Sequence, residues 1–144
     1  MRYETPVHLA NERQAIDAYA NARGLVAFKL PERYWCDYAL HESYGFVQEY
    51  VEVKCRDIAP DQYPTINIGL MKCLRCLEIA EGSGAKFVLL YGFNDGSLRK
   101  RVVTRADMGG PVKIWGRKVE RSDQEREPCV LLDSREFVPI DCAK

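Results

Sequence analysis

The sequence predicts an α/β (α+β) domain built on a mixed central sheet, and three observations carry that prediction. Periodic patterns run in the order helix, three strands, helix, strand, followed by added strands. Residues 87–91 are an unbroken apolar run, which suits a central strand covered on both faces. Turn signals at Ser43-Tyr44-Gly45 and Asn94-Asp95-Gly96 fall between extended runs, where hairpins need them. A chain of 144 residues with 47% apolar residues can bury a real core without staples and reads as one domain over 1–144, with its core over about 9–93 and a β extension over about 97–144.

The first helix is expected over 11–23. Asn11 is its cap, Gln14 the capping-box partner and Gly24 the left-handed residue after its last turn. Leu9, Ile16, Tyr19 and Ala20 form its apolar stripe, and Glu12 falls on that stripe, which turns it toward the sheet. Residues 25–30 alternate with Val26, Phe28 and Leu30 on one face, and Pro31 ends the run. Residues 34–41 and 46–55 are the second and third strands, close enough to form a hairpin that brings Asp37 beside Glu52 or one pair away. A loop with two prolines covers 57–64, and 66–68 is a short extended piece. A helix over 69–81 is apolar around much of its circumference, which buries it, and Gly82-Ser83-Gly84 stops it. Beyond the strand at 87–93, residues 98–104 complete a hairpin, 112–119 form a further strand, 121–128 are an exposed polar connection and 129–132 a short strand.

Charge is balanced, with 21 basic and 21 acidic residues, so no global basicity announces a nucleic-acid binder. The distribution is uneven: residues 32–61 are mainly acidic, and residues 97–121 mainly basic. An acidic centre beside a basic stretch suits a metal site flanked by a phosphate-contacting surface, and it equally describes a solvated hairpin. No apolar leader opens the chain and no run is long enough to cross a membrane, so a cytoplasmic protein with reduced thiols is expected. Cys73-Leu74-Arg75-Cys76 lacks a second matching pair and lies on a buried helix, where cysteine acts as a small hydrophobe.

The sharpest signal is local. On a strand Glu52 and Lys54 point one way, while Val51, Val53 and Cys55 point the other way, into the core. An acid and a base in an apolar strand are costly to bury unless they are paired or bind a metal. Together with Asp37 on the preceding strand, they fit a divalent-metal nuclease site.

The element order and these residues resemble the PD-(D/E)XK nuclease superfamily, whose restriction-endonuclease-like core is helix, three-stranded meander, helix, strand. The resemblance runs from about residue 9 to 93. It implies that Glu12 comes from the first helix, Asp37 from the second strand, the E-x-K element Glu52-Val53-Lys54 from the third, and Lys72 from the following helix. Cys36 stands where the family usually writes proline, a departure that weakens the motif without removing it.

Phosphodiester hydrolysis needs an activated water and a tolerable anionic transition state, and a hard divalent cation serves both. Magnesium, with manganese as substitute, would take Asp37, Glu52 and the Val53 carbonyl as ligands. Lys54 would stabilise developing negative charge or orient the attacking water. Glu12 would hold a second cation or its water, and Lys72 would contact the scissile phosphate or its neighbour. The expected activity is metal-dependent hydrolysis of DNA, with RNA an open alternative. A non-catalytic nucleic-acid-binding or assembly protein on the same fold is the second reading. The resemblance also allows a homodimer, since many members of the superfamily are dimers, though no interface is marked in the sequence.

Overall fold

A computed structural model describes residues 6–116 and 126–140. Helix α1 spans Pro6–Arg23, and the strands β1 (Val26–Lys29), β2 (Tyr38–His41) and β3 (Val47–Cys55) follow as an antiparallel meander. Strand β4 (Thr65–Gly69) leads directly into helix α2 (Leu70–Gly82), and β5 (Lys86–Gly92) then runs parallel to β3. Parallel neighbours require a crossover, and β4 with α2 supplies it. Strands β6 (Leu98–Val103), β7 (Val112–Gly116), β8 (Arg126–Asp133) and β9 (Val138–Pro139) complete the described elements. The main sheet has the order β1-β2-β3-β5-β6-β9, and a second sheet has the order β4-β8-β7.

Helix α1 covers one face of the main sheet: Ile16, Tyr19 and Ala20 pack with Leu40, Val51, Val53, Val88 and Leu90. Helix α2 covers the other: Cys73, Cys76, Leu77 and Ala80 pack with Ala39, Phe87, Leu89 and Tyr91. Strand β5 therefore feeds alternate side chains into two cores, which accounts for its continuous apolar run. Among the described residues no helix is long and apolar enough to cross a membrane.

Several expectations change. Helix α1 begins at Pro6 instead of Asn11, since proline in a first turn forfeits no helical hydrogen bond. Asn11 and Gln14 thus lie inside the helix, while Gly24 keeps its terminating role at φ +69°. Asp37 precedes β2, because residues 32–34 form a 3-10 turn. Val26, Phe28 and Leu30 do share a face, but only Leu30 is covered, and Val26 and Phe28 stay about half exposed at 50% and 55%. The register explains this: Ala27 pairs with Leu40 on the α1 side, so Val26 and Phe28 emerge at the sheet edge beyond α2. Residues 126–128, expected in a connection, belong to β8, because pairing with β7 makes a strand of polar sequence. The added strands do not all extend one sheet, since β4 and β8 pair across more than sixty residues of chain and form their own. The Leu9 side chain, residues 117–125, among them Arg117, Lys118 and Arg121, and Cys142 lie outside the described residues.

Candidate active site

The pairing of β2 with β3 places Asp37. Tyr38 pairs with Val51, so Asp37, one residue earlier, stands across from Glu52. The Asp37 amide donates to the Val51 carbonyl at 3.1 Å, and the Val53 amide donates to Asp37 Oδ2 at 2.8 Å. The carboxylates of Asp37 and Glu52 are 3% and 1% exposed, too deep for water to offset their charge.

Strand periodicity does the rest. Val51 and Val53 enter the α1 core, so Glu52 and Lys54 leave β3 on the α2 side. Lys72, in the first turn of α2, donates from Nζ to Glu52 Oε2 at 2.8 Å, and Lys54 Nζ lies 3.3 Å from the same oxygen. Glu52 Oε1 is buried and has no hydrogen-bond partner among the described residues. Burial raises the Glu52 pKa, the Asp37 charge adds to that, and Lys54 and Lys72 oppose it.

A pH dependence follows. The folded pKa lies above the unfolded one, so the stability contributed by the neutral carboxyl is complete below the ordinary glutamate range and fades as pH rises through the raised value. A cation needs the ionised form. Magnesium affinity is therefore expected to rise as pH climbs above the ordinary glutamate range and through the raised value. Magnesium titrations followed by calorimetry at pH 5 and 7 check this, with tighter binding at pH 7 the expected result.

The structure thus brings Asp37, Glu52, Lys54 and Lys72 together at one end of the sheet. Glu12 is half-buried on α1 with one carboxyl oxygen inside. It stands on the opposite face: after burial, its charge is the next contribution raising the Cys55 thiol, and it also raises Tyr38. The Val53 side chain lies in the α1 core, and its backbone meets Asp37.

The residues present fit a hard cation. A buried carboxylate oxygen without a donor is the environment a cation satisfies. No three His, Cys, Asp or Glu side chains cluster among the described residues. Magnesium keeps several of its waters, so two carboxylates and a main-chain oxygen suffice.

The basic stretch reads differently in three dimensions. Arg99 pairs with Asp61 at 3.1 Å, Arg101 with Asp107 and with Glu136, and Arg105 with Glu81. These arginines fasten β6 and the turn after it to neighbouring elements. Burial pushes the Cys73 thiol up to about 11, as suits a packed thiol. One network escaped the sequence reading: Glu49, 2% exposed on the α1 side of β3, accepts from Tyr19 Oη at 2.5 Å and from Arg23 at 2.9 Å. Its signal was available, since Glu49 shares parity with Val51 and Val53.

Comparisons with known proteins bear on the family and the fold. A family model described as "Phage putative PDDEXK endonuclease" matches residues 1–140. No match was found among curated proteins. Among solved structures, the chain is similar to Hjc, a Holliday junction resolvase from the archaeal hyperthermophile Archaeoglobus fulgidus. The TM-score is 0.60 at 15% identity, with 92% of this chain and 90% of that one covered. At that identity the likeness speaks for the fold, a restriction-endonuclease-like one.

Proposed function

Because this chain belongs to the phage PDDEXK endonuclease family, we propose that it hydrolyses DNA phosphodiesters with magnesium, manganese substituting, at a site made of Asp37, Glu52 and Lys54. The observation that carries the assignment is Glu52: a fully buried carboxylate, one oxygen clamped by two lysines and the other without a donor among the described residues.

Asp37, Glu52 and the Val53 carbonyl would hold the cation. When bound, a divalent cation acidifies water and neutralises phosphate charge. The protein groups then divide the remaining work. The Val53 amide fixes Asp37 Oδ2, so this carboxylate meets its ligand already oriented. Lys54, partly exposed and beside Glu52, is placed to donate to a phosphate oxygen as its negative charge grows. Lys72 neutralises Glu52 before the cation arrives and can turn its ammonium to the phosphate afterwards. Glu12 stands on the α1 side with Cys55 and Tyr38, so it joins this site only if a second cation or its water bridges the end of the sheet.

Supercoiled plasmid and single-stranded DNA incubated with magnesium or manganese test the reading. Cleavage that EDTA stops is the expected result. Salt-sensitive binding without cleavage under both metals overturns it in favour of the non-catalytic alternative.

A further inference from the structure

Two aromatic side chains on the loop that leads into Asp37 serve neither core. Residues 31–36 form a short loop between β1 and β2, closed by the Leu30 amide donating to the Asp37 carbonyl at 2.9 Å. The loop carries Tyr34 and Trp35, 36% and 42% exposed, and Trp35 stands two residues before Asp37. Neither ring belongs to the cluster under α1 or to the one under α2.

Trp35 has φ +67°, and among the described residues it alone combines a side chain beyond glycine with positive φ. A bulky residue in this region is strained, and such outliers gather at active sites and ligand clamps. The strain is held by the 3-10 turn, in which the Trp35 amide donates to the Glu32 carbonyl at 3.3 Å. The fold thus spends conformational energy to hold an indole outside both cores, on the loop that leads into Asp37.

The surroundings point to a nucleobase. The Arg33 guanidinium lies over the Tyr34 ring at 5.4 Å, which sets a cation beside the exposed rings of this loop. Exposed aromatic faces interleaved with cations are what strand-binding surfaces use: the rings stack on bases and the cations follow phosphates. Bases in continuous duplex are already stacked, so such rings gain nothing from it.

Resting on the nuclease reading above, we infer that Tyr34 and Trp35 form a base-stacking platform, and that the substrate carries unpaired nucleotides next to the scissile phosphate. Such DNA is a single strand, or a branched molecule with a single-stranded arm. The pair acts in substrate selection, and Asp37, Glu52 and Lys54 act on the phosphate.

Tryptophan fluorescence tests this directly, because the chain has two tryptophans and Trp115 can be replaced. In a Trp115→Phe background, a single-stranded oligonucleotide in EDTA should quench Trp35. Trp35→Gly should weaken single-strand binding about tenfold and duplex binding less than twofold, and Tyr34→Ala should act in the same direction. Glycine suits this φ, so the melting temperature of Trp35→Gly should stay level or rise. Trp35→Phe should keep most of the single-strand preference.

Equal loss of single-strand and duplex binding overturns the inference. So does unchanged single-strand binding in both Trp35→Gly and Tyr34→Ala, or dissociation of a homodimer in the variant, which would make the rings a contact between copies. Quenching without cleavage by any form would instead overturn the nuclease reading and leave the platform standing.

Discussion

Asp37→Asn is expected to reduce DNA cleavage by about a thousandfold or more, and Lys54→Ala by about a hundred- to a thousandfold, both in folded protein. The amide that replaces the carboxylate keeps a side-chain oxygen for the Val53 amide, which Asp37 now receives at 2.8 Å, so the hairpin retains its cross-strand bond and loses only charge. Alanine at this position would add an orphaned amide and confuse stability with chemistry. Lys54 is about a third exposed and shares Glu52 with Lys72, so its removal should move the melting temperature by only a few degrees. Single-turnover cleavage at saturating magnesium, with a melting curve for each variant, makes the measurement. Wild-type rates in either variant would remove that residue from the mechanism.

The second large effect is on stability. Glu49→Ala is expected to cost about 2–3 kcal/mol, lowering the melting temperature by about 4–12 °C. The loss comes mainly from the buried Tyr19 hydroxyl, which donates to Glu49 at 2.5 Å and would keep only the bond it accepts from Lys100, its own O–H left without an acceptor. Arg23 adds little, because its side chain is 44% exposed and water can replace its partner. The double variant Tyr19→Phe, Glu49→Ala should recover part of the loss, since it removes the orphaned hydroxyl. Thermal denaturation of the two single variants and the double measures the coupling. Equal melting temperatures for wild type and Glu49→Ala would show that the network contributes nothing.

The sequence made some of this legible because certain patterns are strictly local. The two-residue strand period fixed the shared side of Glu52 and Lys54, and the unbroken run at 87–91 identified the strand between two layers. Other features depend on distant chain. The exposure of Val26 and Phe28 follows from how far α2 extends, which no window around β1 contains. The second sheet needs β8 to find β4, and a polar stretch becomes strand only through that partnership. Glu49 has the parity of a buried residue, but the partners that satisfy it, Tyr19 and Arg23, lie more than twenty residues away. The sequence places Lys72 only on the helix after β4, and its position beside Glu52 depends on the crossover geometry of α2.

The lysine clamp on Glu52 has a thermodynamic consequence. With Asp37 and Glu52 both ionised, they and the ammoniums of Lys54 and Lys72 carry no formal excess charge, so a divalent ion entering alone would unbalance these four groups by two positive units. The phosphodiester backbone brings the compensating negative charge. Ion and nucleic acid should therefore favour each other's binding, each by the same factor, and the protein by itself should be a poor reservoir for the ion it works with.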